Sequence, residues 1–113
     1  MSVIVVSGVL SATDSDVLAN TRLQSLPGPG LVTVELQSSA NDGTNGFTAT
    51  LELPSGDTPM NSTAVPAGVT SGALNRDDEM NIAFRARQGG KVTLALTESG
   101  TAVCAYRVTW RGR

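Results

Sequence analysis

The sequence predicts an all-β protein: an antiparallel β-sandwich of about seven strands, jelly-roll-like or Ig-like, with one long Pro/Gly-rich loop. Apolar and polar residues alternate with period two in run after run, as half-buried strands do. The runs are separated by clusters of Gly, Asn, Asp and Pro, which tolerate positive φ or start turns. The composition agrees: 40% hydrophobic and only 16% charged, with twelve glycines in 113 residues, suits a compact, turn-rich β domain better than a helical bundle or a disordered chain. That length fits one domain, 1–113, able to bury a single modest core without metal or disulfide staples.

Taken in order, "SVIVVSGVLSA" has no basic residue before its short apolar run, so it reads as a first strand and not as a secretory signal. No stretch is long and apolar enough to predict a transmembrane helix. "VLANTRLQSL" reads as a weaker second strand. It is also the one place where a short helix is admissible, although Thr21 and Ser25 break the apolar stripe begun by Val17 and Leu18. Pro27 and Pro29 in "LPGPGL" make a stiff corner before Leu31. Beyond it Val32, Val34 and Leu36 share one face, with Thr33, Glu35 and Gln37 opposite. Phe47, Ala49, Leu51 and Leu53 then alternate with Thr48, Thr50 and Glu52.

Met80, Ile82, Phe84 and Ala86 form the inner face of a further strand, and Val92, Leu94 and Leu96 that of the next. In the last, Cys104, Tyr106, Val108 and Trp110 point one way, with Val103, Ala105, Arg107, Thr109 and Arg111 the other. "SSANDGTNGF", "RQGGKV" and "TESGTA" carry Asn-Gly, Gly-Gly and Ser-Gly steps and are expected to be hairpins.

Residues 54–79 fit none of this. "LPSGDTPMNSTAVPAG" holds three prolines, which argue against a continuous helix or a central strand, and a loop of this length in a small domain tends to be functional or disordered. Its apolar residues Met60, Val65, Val69 and Leu74, and its stiffening prolines, predict an ordered arm lying on a surface, its own or a neighbour's. The specific expectation is an interface arm in which Met60 and Val65 dock on an adjacent subunit, positioned by Pro54, Pro59 and Pro66 and flanked by Asp57.

The chemistry-bearing residues are sparse. There is no His and a single Cys, which takes away the usual general base, the Ser-His and Cys-His nucleophile systems and a zinc ligand set. Cys104 is expected to be a buried small hydrophobe. Asp14 and Asp16 in "DSD", and Asp77, Asp78 and Glu79 in "DDE", are read as turn caps before they are read as paired catalytic or calcium-binding carboxylates. "NDGTNG" lacks the terminal bidentate acid of a calcium loop and is fully explained as a turn. "NST" at Asn61 to Thr63 matches a glycosylation acceptor, taken as accidental without a secretory signal. No cofactor is expected, and no phosphate-binding glycine loop opens a helix.

Charge is segregated along the chain. Up to Leu74 one base, Arg22, stands against six acids; from Arg76 onward seven bases stand against four, giving −5 and +3. Arg85, Arg87, Arg107 and Arg111 fall on polar strand faces, with Arg113 at the end. Were their strands neighbours, they would form a basic patch able to meet the acidic half of another copy, an acidic partner protein or nucleic acid. Aromatics do not interleave with these bases, which argues against nucleic-acid binding by base stacking.

The stretches "LPSGDTPMNSTAVPAG" and "RQGGKVTLALTESGTAVCAYRVTWRGR" resemble those of compact β-domain cement or decoration proteins from the capsids of tailed bacteriophages. The resemblance is one of style over much of the chain, without a diagnostic motif. It implies a non-enzymatic virion structural protein, made in the host cytoplasm, that self-associates as a dimer or trimer, binds the major capsid protein and bridges neighbouring capsid subunits. It implies no membrane, nucleic-acid or small-molecule partner. A carbohydrate-binding module or lectin-like adhesion domain is the alternative, with only four aromatic residues to build its platform; a hydrolase using Asp and Glu is weaker still, because so short a chain builds no deep cleft.

Overall fold

The computed structural model describes residues 2–68 and 80–112. Among them are nine strands: β1 (Val3–Leu10), β2 (Ser25–Leu26), β3 (Gly30–Ser38), β4 (Gly46–Glu52), β5 (Met60–Ala64), β6 (Met80–Ala86), β7 (Gly90–Lys91), β8 (Thr93–Ser99) and β9 (Cys104–Gly112). None of the described residues is helical. A four-stranded sheet runs β1-β9-β3-β6, a three-stranded sheet β5-β4-β8, and β2 pairs with β7 in a short clip. Every named strand pairing is antiparallel, and the two larger sheets make the sandwich.

The alternation places the core as expected. Val32, Val34 and Leu36 of β3, Phe47, Ala49 and Leu51 of β4, and Leu94 and Leu96 of β8 are buried between the sheets. Cys104, Val108 and Trp110 of β9 join them from the middle of the larger sheet. Trp110 Nε1 donates to the Gly28 carbonyl at 3.2 Å, so the Pro-Gly-Pro corner supplies the acceptor that a buried indole needs. Gly30 is required beside it, because a Cβ there would lie 2.6 Å from Trp110 Nε1 and 2.4 Å from the Arg111 carbonyl.

Two segments depart from expectation. Residues 17–26 form neither a sandwich strand nor a helix. They make successive turns, with Ala19 N donating to Asp16 O, Thr21 N to Leu18 O and Gln24 N to Thr21 O, and only Ser25–Leu26 pair as strand. Val17, Leu18, Leu23 and Leu26 are nonetheless buried, so this segment caps the core as a plug. The irregular arm is the reverse case. Met60–Ala64 is strand β5, paired with β4 through a register shift between Ala49 and Leu51. Val69, Leu74, the acids 77–79 and Arg113 lie outside the described residues.

The expected hairpins are not hairpins. β3 and β4 lie in different sheets, as do β6 and β8, and β8 and β9, so each Gly-rich turn carries the chain across the sandwich. Turn chemistry fixes that the chain reverses, not which strand it then pairs with. Among the described residues, the one reversal between consecutive strands of the same larger sheet is β4–β5, and its connection begins in the stretch that looked least regular.

Candidate functional site

The outer face of the four-stranded sheet follows from its register. Val3, Arg111, Leu31 and Arg85 stand in one row across β1, β9, β3 and β6; Val5, Thr109, Thr33 and Ala83 make the next, and Ser7, Arg107, Glu35 and Asn81 the third. Val3, Val5 and Val9 are 46%, 49% and 54% exposed, leaving an apolar stripe along β1. In the middle Arg107 grips Glu35 with two parallel bonds, from Nε to Oε1 at 2.7 Å and from Nη2 to Oε2. This cross-strand ion pair is built in by the Glu35–Arg107 register and has the planar, bidentate geometry that makes such pairs strong.

The expected basic patch forms only in part. β6 and β9 are not neighbours, since β3 separates them. Arg111 and Arg85 flank Leu31 from either side and Arg107 is committed to Glu35. Arg85 and Arg87 also line a groove of about 470 Å³ at the end of β6, facing Leu53, Pro54 and Asp57 from the β4–β5 connection. Asp57, Arg85 and Arg87 are thus brought together, and all three are exposed.

Met60 and Val65 are not available to a neighbour. They are 1% and 0% exposed, because β5 closes one edge of the smaller sheet with Met60 turned into the chain's own core, and Val65, just past its end and bonded from its N to the Phe47 carbonyl, turns inward too. Pro59 is exposed just before β5, while Pro66 is half-buried and its carbonyl accepts from Ser38 N at 2.9 Å. The docking role expected of Met60 and Val65 is therefore withdrawn: the prolines there place a strand and tie its end to β3.

Of the acids read as caps, the two among the described residues, Asp14 and Asp16, behave as caps. Asp14 Oδ1 accepts from Asp16 N at 3.0 Å, and Asp16 Oδ1 accepts from Leu18 N at 3.1 Å and from Leu94 N at 3.2 Å. Asp42 in "NDGTNG" accepts from Thr44 N at 3.0 Å and Asn45 N at 2.7 Å, and the Asn45 and Thr44 backbone bonds hold its carboxyl below the usual carboxylate range. Burial pushes the Cys104 thiol up to about 12. Among the described residues no group of three His, Cys, Asp or Glu is placed to hold a metal ion, and none belongs to a helix long and apolar enough to cross a membrane.

The apolar stripe on β1 was missed in the sequence because "VIVVSGVL" is apolar at both parities, which reads as a strand covered on both faces. β1 is instead a sheet edge with one face in water.

No family model matches the chain, and no curated protein matches it.

Proposed function

We propose that the chain is a non-catalytic structural protein of a virion, a cement or decoration protein that binds the capsid surface and bridges neighbouring subunits through the outer face of its four-stranded sheet. The observation that carries this reading is the composition of that face: exposed valines along β1 beside exposed Arg111 and Arg85, set on a rigid antiparallel sheet. Apolar area with arginine around it is what macromolecular interfaces use, and exposed apolar patches on small domains commonly mark contact sites. The resemblance to phage decoration proteins supplies the kind of partner.

All four aromatic side chains support this reading over carbohydrate binding. Phe47 and Trp110 are buried, and Phe84 and Tyr106 pack half-buried against the core, so a sugar-stacking platform has no residues left to form it.

The test uses the virus whose genome encodes the chain. Mass spectrometry of its purified particles is expected to find the protein in many copies. The double variant Arg85→Glu/Arg87→Glu, added to particles lacking the protein, is expected to bind at least tenfold more weakly than the parent, and the parent's own binding to weaken with salt. Particles without the protein, or a variant that binds as well as the parent, would overturn the proposal.

A further inference from the structure

Sheet edges are where β proteins aggregate, and natural folds defend them. Three of the four edges of this sandwich are defended. Along β8, residues 13–17 cover the open side: Asp14 and Leu96 exchange backbone bonds at 2.9 Å, and Val17 N donates to Leu94 O. On β5 the register shift against β4, Ser62 at φ 49 and the flanking Pro59 and Pro66 break up any long ladder. β6 carries Arg85, followed by Arg87 just past its end. β1 has none of these devices. From Ser2 to Thr13 there is no charge and no proline, the pairing with β9 is regular over all eight residues, and among the described residues no strand pairs with its other side.

We propose that β1 is a homodimerisation edge, which pairs antiparallel with β1 of a second copy to make one continuous eight-stranded sheet. The register follows from the backbone. Gly112 N donates to Ser2 O at 2.8 Å, one step beyond the Val3–Arg111 pair, and hydrogen-bonded pairs alternate along an antiparallel ladder. The even-numbered residues of β1 therefore bond to β9, while Val3, Val5, Ser7 and Val9 turn their N–H and C=O groups to the open edge. These four residues are placed symmetrically about Val6, so a two-fold axis at Val6 sets Val3 against Val9 and Val5 against Ser7 of the second copy, with every edge group paired. Such self-complementarity is what an isologous contact requires.

The same register keeps the exposed valines of both copies on one face, where they cover each other from water. It also brings no like charges together. The nearest charges on that face, Arg107 and Arg111, lie on β9, and those of two copies are separated by three strand spacings, roughly 14 Å, beyond a Debye length at physiological salt. A second copy fits this edge on its own terms, whether or not the proposed capsid role holds.

The experiment is sedimentation equilibrium of the full chain over a range of about 1 to 300 µM, the span in which micromolar contacts dissociate, without any capsid present. The parent is expected to reach twice the mass of one chain. Val5→Lys puts a charge at the seam and Val5→Pro deletes one edge-facing N–H, a change tolerated on an edge strand; both are expected to stay folded by circular dichroism and remain monomeric. Val5→Cys/Ser7→Cys is expected to form a disulfide-linked dimer on oxidation, since opposed residues of a hydrogen-bonded pair sit at about 5.5 Å, within disulfide reach. A parent that is monomeric throughout, a dimer that survives Val5→Lys, or a dimer in which the cysteine pair fails to cross-link would each overturn the proposal. So would a monomer whose Val5 amide is protected from exchange, because that edge would already be covered by the chain itself.

Discussion

Trp110 joins the sheet to its corner, with its ring against the core and its N–H on the Gly28 carbonyl. Trp110→Ala is expected to lower stability by about 3–5 kcal/mol, measured by urea unfolding; a change near zero would contradict its assignment to the core. Cys104 gives a pH signature. Its thiol ordinarily ionises near 9.0 and in the fold only at about 12, so above pH 9 the unfolded chain releases a proton that the folded chain keeps. Stability present below that pH is then lost progressively as the pH rises toward 12, at a slope of up to about 1.4 kcal/mol per pH unit. Tyr106, pushed up first by burial and then by Asp14 and Cys104, steepens the loss from its ordinary value of 10.0 upward. Cys104→Ala is expected to flatten the alkaline slope in pH-dependent unfolding, and native Cys104 to resist thiol reagents until the protein unfolds. The buried role of this residue was legible in the sequence from parity alone, through Tyr106, Val108 and Trp110. The bidentate hold of Arg107 on Glu35 was not, because it depends on β3 and β9 being neighbours, and no local pattern encodes which strands meet. Arg107→Ala removes the bidentate hold on a carboxylate that is only 11% exposed and is expected to cost about 1–3 kcal/mol, read from the same unfolding curves.

At the scale of elements, hydrophobic parity located β3, β4, β6, β8 and β9, because each buries one face and a one-residue slip would expose it, while β1 was legible only as a short apolar run. It failed twice, for physical reasons. Residues 17–26 hold four buried apolar side chains at irregular spacing, which a plug built from turns accommodates and a strand does not. Around β5, a strand of only five residues with a register shift, flanking prolines and small polar residues conceal the two apolar positions that matter, Met60 within it and Val65 just past it. The consequence is a sharp expectation for the segment. Replacing residues 57–67 by a short Gly-Ser linker deletes β5 with Met60 and Val65, leaves the β4 edge bare and should abolish cooperative thermal unfolding, whereas a dispensable surface loop would change it little. Met60→Ala alone is expected to cost about 2–5 kcal/mol.

The whole molecule divides its surface by sheet. The outer face of the smaller sheet presents Thr48, Thr50 and Glu52 opposite Thr97, Ala95 and Thr93; that of the larger sheet presents the valines of β1 and Arg85, Arg107 and Arg111. The charge asymmetry seen along the chain becomes in part an asymmetry between faces, since β6 and β9 share one sheet. The proposed function needs a side on which to dock, and the central claim is that the larger sheet is that side. The most direct measurement is hydroxyl-radical footprinting of the protein on the virus particles that the proposed function assigns it to, compared with the free protein. The account predicts protection of Leu31, Arg85 and Arg111, with Thr48, Thr50 and Thr97 as reactive as in the free protein. Protection of the threonine face with the larger sheet left open would contradict it.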